Sequence, residues 1–302
     1  MKKILFAFFL LSSSATYIIA DEIDFTHDGW QREAYLYKPS CIPEDIPDDF
    51  EPIPLVFMIH GLGGEGQDFY NFSALAEDSC FMVVFPSGLF NTWNAGPNMP
   101  YAHEIDDNSY FDALIENIEN NYPLDTNRVY LTGHSMGGYM ASHMNCTSTS
   151  FTAYGGSGGG IANGYVGGSG DNLPCSIESG TYPNPMIISH GTADNVVPFE
   201  WAIFNLYHFQ LLNRCPGIVP WPYEYFWPEF NDTGDYWDDP ENDLDDIIEI
   251  VLSTADTLEY NGLVQRYQWS DGCLGGSPAL EAIILPSEQH AWHQTWNSPI
   301  NT

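Results

Sequence analysis

Tyr130-Leu131-Thr132-Gly133-His134-Ser135-Met136-Gly137-Gly138-Tyr139 decides how the rest of this chain is read. Arg128-Val129-Tyr130-Leu131-Thr132 is strand-like, and residues 136–146 lack helix breakers after Gly138. The Gly-x-Ser-x-Gly pattern therefore falls between a predicted strand and a predicted helix, the setting of a nucleophile elbow. Glycines at 133 and 137 let the chain turn tightly, so that Ser135 Oγ projects above a sheet. The helix that follows aims its first amide groups and its positive dipole end at developing negative charge.

Working outward, further apolar runs extend the pattern. Leu55-Val56-Phe57-Met58-Ile59 ends at His60-Gly61, and Phe81-Met82-Val83-Val84-Phe85 ends at Pro86. Unbroken runs of this kind mark strands buried on both faces of a parallel sheet. Phe111, Leu114, Ile115, Ile118 and Tyr122 fall on one helical face. Met186-Ile187-Ile188-Ser189 and Glu281-Ala282-Ile283-Ile284-Leu285 read as the last central strands, and Asp21 to about Lys38 as an introductory hairpin. Strands alternating with helices predict an α/β domain with a mainly parallel sheet and helices on both faces. Two stretches break the rhythm. Residues 155–172 are rich in Gly, Ser and Asn and read as a flexible loop. Residues 216–246 are rich in Pro and Trp, then in Asp, and read as an insertion on the same domain. Calcium favours clustered carboxylates, but the spacing fits no EF-hand loop, so a solvated acidic loop is the expectation and no metal site is assigned.

Charge narrows the function. Among 302 residues, 7 Lys+Arg stand against 41 Asp+Glu, a formal charge of −34, with 44% hydrophobic and 15% aromatic residues. So apolar a chain can bury a core despite its charge. Nucleic-acid binding, which needs clustered Lys and Arg, is excluded, and anionic membranes and polyanionic substrates are disfavoured. A neutral substrate is expected. Lys2 and Lys3, the apolar run Ile4 to Leu11, and Ala20 read as a signal peptide over residues 1–20, too short to remain as a membrane anchor. The mature chain, 21–302, is then expected outside the cytoplasm, as a monomer. Export permits disulfides among Cys41, Cys80, Cys146, Cys175, Cys215 and Cys273, for which fifteen pairings exist.

A serine hydroxyl needs a base, and the order Ser…Asp/Glu…His places both partners downstream. Asp194 follows the 186–189 run within His190-Gly191-Thr192-Ala193-Asp194, and His290 follows the 281–285 run. In this scheme Ser135 attacks, His290 takes its proton, and Asp194 orients the imidazole. Asp171 and Asp256 compete for the acid and His293 for the base. His60-Gly61-Leu62-Gly63-Gly64 has the style of an oxyanion loop. The amide of Met136 supplies one expected donor, and that of Leu62 or Gly63 the other. His60, His134 and His190 adjoin these turns and read as bracing residues.

The chain resembles the secreted polyhydroxybutyrate depolymerase and feruloyl esterase-like group of α/β-hydrolases, related to carbohydrate esterase family 1. The matching residues are His60-Gly61-Leu62-Gly63-Gly64, Val83-Val84-Phe85-Pro86-Ser87-Gly88, Trp93-Asn94-Ala95-Gly96, Asp106-Asp107, Tyr122-Pro123-Leu124-Asp125, Arg128-Val129-Tyr130, the serine elbow, His190-Gly191-Thr192-Ala193-Asp194 with Val197-Pro198, and His290-Ala291-Trp292. Two positions depart from the group's pattern: Gln289 stands where Gly usually precedes the histidine, and His293 where Pro usually follows. The resemblance implies an α/β-hydrolase fold, supports Ser135, Asp194 and His290, and implies a Cys215–Cys273 bridge. It implies a serine esterase that needs no metal or organic cofactor, acting on polyesters such as polyhydroxyalkanoate or aromatic polyester, or on feruloyl or acetyl esters of polysaccharide. Trp93 and Trp292 are expected to flank the serine as an aromatic wall for substrate. A peptidase on the same scaffold, and a non-catalytic surface binding protein, are the alternatives.

Overall fold

The computed structural model describes residues 20–96, 99, 105–161, 184–217, 244–260, 264–270, 273 and 280–290. The signal peptide read over residues 1–20, all but residue 20, and most of the 216–246 insertion lie outside them. Ten strands form one sheet in the order β1-β2-β4-β3-β5-β6-β7-β10-β9-β8. They are β1 (Asp21–His27), β2 (Trp30–Tyr37), β3 (Ile53–Ile59), β4 (Met82–Pro86), β5 (Leu124–His134), β6 (Ala153–Ser157), β7 (Met186–Gly191), β8 (Thr257–Tyr260), β9 (Gln265–Trp269) and β10 (Leu280–Leu285). The six central strands, β4 to β10 in that order, run parallel, while β2 and β1 on one side and β9 and β8 on the other are added by antiparallel pairings.

Alternation along β3 divides the core. Leu55, Phe57 and Ile59 join the larger apolar cluster, and Met58 joins a smaller one with Val83, Phe85, Phe69 and Ala76. Helices α2 (Asp107–Asn121), α3 (Met136–Thr147) and α4 (Phe199–Leu212) fill the larger side, and α5 (Leu244–Ser253) packs on α4. The segment 66–79, ending in α1 (Ser73–Ser79), covers the other face beside β3 and β4. The apolar stripe read in α2 is realised: Phe111, Leu114 and Ile118 are buried. Asp106 caps this helix by accepting from the Ser109 amide at 3.0 Å.

Two readings need correction. Gly155 and Gly156 belong to no flexible loop. They lie in β6, a central strand between β5 and β7, where Gly156 pairs with Gly133 and Ile188. Gly156 lets α3 lie close over the sheet, since a Cβ there would sit 3.3 Å from the Gly138 carbonyl oxygen, and a Cβ on Gly155 would press on Thr132 of β5 at 2.9 Å. Asp245 and Asp246, read with the acidic loop, lie within α5. The rest of that insertion, residues 218–243, is outside the described residues, as are residues 162–183 of the Gly-rich stretch. Cys215–Cys273 is bonded, as the resemblance implied, and Cys41–Cys80 forms a second bridge across 39 residues.

The few cations clamp the fold. Arg32 on β2 is buried and reaches Asp107 at 2.7 Å, with its guanidinium 3.6 Å over the Tyr110 ring. Arg128 joins Asp125 (2.6 Å) to the Pro52 carbonyl (2.6 Å), tying the start of β5 to the start of β3. Arg266 on β9 holds Glu281 on β10 at 2.7 Å.

Histidines packed into helices, His208 buried and His143 half-buried, set an acid limit to stability. Burial lowers the His208 imidazole on α4 from its usual 6.5 to about 4, and that of His143 on α3 likewise. Below 6.5 the unfolded chain then binds protons that the folded chain refuses, so stability is full above 6.5 and is lost as pH falls toward 4. A gap of that size at His208 amounts to about 3 kcal/mol. We expect His208→Phe to flatten the fall in melting temperature between pH 6.5 and 4. A variant whose fall parallels the parent's would remove His208 as a cause.

Candidate active site

Strand register brings the predicted residues to one edge of the sheet. Ile59 pairs with Gly133, His134 with Ser157, Ser157 with Ser189, and Leu285 with Gly191. The segments leaving the carboxyl ends of β3, β5, β6, β7 and β10 therefore emerge side by side, where open α/β sheets place their ligands. Ser135, Asp194 and His290 all lie on these segments.

The elbow itself is a steric construction. Ser135 has φ 55° and ψ −117°, a strained conformation for a residue with a Cβ. The turn closes because the chain on either side can touch β3. A Cβ on Gly133 would lie 2.4 Å from Ile59 Cγ1, and one on Gly137 would lie 2.5 Å from the Ile59 carbonyl oxygen. The Ser135 amide donates to the Ser157 carbonyl at 2.8 Å, locking the turn to β6.

His290 Nε2 lies 3.0 Å from Ser135 Oγ, and His290 Nδ1 lies 2.7 Å from Asp194 Oδ2. Because the carboxylate accepts, Nδ1 carries the proton and Nε2 is left to accept from the serine hydroxyl. Asp194 is buried, and its Oδ1 accepts from the amides of Val196 and Val197, both at 2.9 Å. Burial raises its carboxyl pKa, but the hydrogen bonds from His290 and from these amides outweigh it and hold the group below the usual carboxylate value. The two loops are laced together: the Thr192 amide donates to the Leu285 carbonyl (3.1 Å), and the Ala193 amide to that of Glu288 (2.9 Å).

Of the rival residues, Asp256 binds the Ser270 amide near the far edge of the sheet, while Asp171 and His293 lie outside the described residues. Met136 supplies the first amide of α3. The Gly63 amide donates to the Asn91 carbonyl at 2.7 Å, so it is consumed, and Leu62 in the same turn is left as the second expected donor. His60 is buried as a brace: Nδ1 donates to the Gly61 carbonyl (2.7 Å) and Nε2 accepts from the Gly88 amide (2.9 Å). Burial keeps its pKa below the ordinary histidine value, despite the Gly61 carbonyl that favours the charged ring, consistent with a neutral ring that both donates and accepts. Among the described residues, the carboxylates that come together closely enough to hold a metal ion are those of exposed Glu22 and Asp24 and half-buried Glu33, on the β1–β2 hairpin.

Trp93 is a correction. Its side chain is fully buried, donates from Nε1 to the His60 carbonyl at 2.9 Å, and packs on His60 and Phe111 with ring centroids 4.8 and 5.3 Å apart. An indole so enclosed supports the loop from beneath and offers no wall to a substrate. Trp292 lies outside the described residues. Two contacts of His290 were not foreseen from the sequence. The His134 ring packs on that of His290 at 4.8 Å. Gly158 has φ 57°, and a Cβ there would lie 3.4 Å from His290 Cε1. The run of glycines at 158–160 was the available signal, because repeated loss of side chains marks backbone packed against something as readily as it marks a free loop.

No family model matches the chain. It is 25% identical over 201 residues to the bifunctional acetylxylan esterase/xylanase XynS20E of Neocallimastix patriciarum, covering 63% of this chain and 25% of that protein. It is 27% identical over 191 residues to the probable feruloyl esterase C of Aspergillus niger, covering 59% and 63%, and 29% identical over 186 residues to that of Aspergillus terreus, covering 58% and 60%. The chain thus spans less than two thirds of the length of these relatives. Among solved structures, the acetyl xylan esterase from Aspergillus awamori superposes with a TM-score of 0.62 at 16% identity, covering 93% of this chain and 97% of that one. The fold is that of the α/β-hydrolases, and the similarity to feruloyl and acetylxylan esterases agrees with the resemblance read from the motifs.

Trp93→Ala tests the reassignment. Emptying a fully buried indole site costs about 3–5 kcal/mol of stability. We expect a lower melting temperature and equal fractional losses of esterase activity on aromatic and on acetyl esters. A loss confined to aromatic esters would return Trp93 to the substrate.

Proposed function

We propose that this chain is a secreted serine hydrolase of neutral carboxylic esters. The observation that carries the reading is the hydrogen-bonded series Ser135 Oγ, His290 Nε2, His290 Nδ1 and Asp194 Oδ2, with links of 3.0 and 2.7 Å, on loops leaving β5, β10 and β7 at one edge of the sheet. In this mechanism His290 Nε2 removes the hydroxyl proton as Ser135 Oγ attacks the ester carbonyl carbon. The amides of Met136 and Leu62 receive the carbonyl oxygen as it gains charge. Asp194, already ionised, offsets the charge on the imidazolium. His290 then protonates the departing alcohol, leaving an acyl-enzyme on Ser135. Water, deprotonated at the same Nε2, releases the acid and restores the serine.

The relatives' names direct the substrate toward feruloyl or acetyl esters of plant polysaccharide, and the charge of −34 favours neutral substrates. Secretion is supported by the N-terminal sequence and by the Cys41–Cys80 and Cys215–Cys273 disulfides, which persist in oxidising compartments.

Ser135→Ala should lower kcat/KM on a soluble ester by more than about a thousandfold while leaving the melting curve intact. A panel of methyl ferulate, acetyl-xylan and polyester film then ranks the substrates. Undiminished turnover by the alanine variant, or no reaction of Ser135 with a fluorophosphonate, would turn the reading toward a binding protein on the same fold.

A further inference from the structure

Next to the 60–64 turn lies an aromatic surface that the chemistry above does not use. Phe90 is 60% exposed, Leu62 48% and Trp30 44%. Trp30 stands at the tip of the β1–β2 hairpin, and its ring meets that of Phe90 edge to face, with centroids 5.6 Å apart. Phe90 and Asn91 both have φ 57°, the left-handed region that a bulky side chain avoids. Such strain persists only where the surroundings impose it. Here they are the bonds that fix the oxyanion loop: the Gly63 amide to the Asn91 carbonyl (2.7 Å), Asn91 Nδ2 to the Gly64 carbonyl (3.0 Å), and the Gly88 amide to His60 Nε2 (2.9 Å). The same loop touches the nucleophile, since a Cβ on Gly61 would lie 3.2 Å from Ser135 Cβ.

We propose that Phe90 and Trp30, with Leu62 on the adjoining turn, bind an aromatic ring of the ester substrate, so that these residues set the enzyme's preference among esters. The proposal rests on Ser135 being the nucleophile. Three observations choose the occupant. Asn91, next to Phe90, is hydrogen-bonded to the 61–64 turn that packs on Ser135, so a guest on Phe90 is on the same side of the sheet edge as the serine. A chain of charge −34 repels polyanions and further copies of itself, which leaves a neutral guest. Three side chains fall far short of the roughly 1,000 Å² that a specific protein partner needs, whereas a single ring can be held by edge and offset contacts with two others.

The test compares esters that differ in where the ring sits: methyl ferulate carries it on the acyl side, phenyl acetate on the alcohol side, and ethyl acetate has none. For Phe90→Ala we expect kcat/KM for one of the aromatic esters, relative to ethyl acetate, to fall about fivefold. Trp30→Ala, on a separate hairpin, should move the same ratio in the same direction, and Phe90→Tyr should restore it. The ester that responds tells which side of the bond the patch holds. Unchanged ratios in both alanine variants, with Ser135→Ala inactive, would overturn the proposal and leave the hydrolase reading standing. Full activity of Ser135→Ala would instead overturn the hydrolase reading.

Discussion

Everything at this site depends on backbone touching backbone where β5 turns into α3. Any side chain at 133 or 137 would collide with Ile59 on β3, because its Cβ would sit at 2.4–2.6 Å from atoms that cannot all move away. With both glycines in place, Ser135 takes its strained φ of 55°, the first turn of α3 begins directly above the sheet edge, and the Ser135 amide reaches β6. The strain is tolerated because strands on both sides over-determine the turn. Its return is orientation: the hydroxyl, the amide of Met136 and the helix dipole are fixed in place, so in the proposed hydrolysis none would have to reorganise.

A second device holds the neighbouring loops. Hydrogen bonds pass repeatedly between residues 60–64 and 88–93, with neutral His60 at their centre and Trp93 closing the space below. Asp107 extends the network, accepting from the Asn94 amide at 2.8 Å while paired with Arg32. A buried ion pair adds little net stability over an apolar replacement, but removing one partner strands the other charge. Its value here is geometric, joining β2, the start of α2 and the loop after β4. In a chain with so few cations, using Arg32, Arg128 and Arg266 as clamps between elements leaves the acidic surface largely uncompensated. That surface keeps the protein hydrated and, in the proposed function, disfavours anionic substrates without shaping the fold.

The parts legible in the sequence were those whose constraint is local. Gly133-x-Ser135-x-Gly137 must turn wherever it stands between strand and helix, and Asp194 and His290 follow apolar runs whose carboxyl ends must share one edge in a parallel sheet. The apolar periodicity of α2 was equally direct. What escaped depends on distant partners. Gly155-Gly156 looks like a loop until β5 and β7 are seen on either side of it. β8 and β9 are short and pair antiparallel at the edge of the sheet, where alternating polar residues such as Arg266 and Gln268 mask the strand pattern. Trp93 could not be placed by its motif, which locates it near the serine but is silent on which way its ring faces.

That last difficulty has a physical resolution. An aromatic residue near an active site can hold the loop or meet the substrate, and proximity does not distinguish them. Burial and hydrogen bonding do. Trp93 has lost all contact with solvent and has spent its one donor on the His60 carbonyl, so its binding energy is already committed to the fold. Phe90, three residues earlier on the same loop, keeps most of its surface in water and sits on backbone that an aromatic residue would not choose unaided. A loop under selection for stability alone would place Gly or Asn there, which adopt that conformation with less strain. The pair divides the labour: the buried ring braces the 60–64 loop, and under the proposed reading that rigidity holds the exposed ring in place for a substrate.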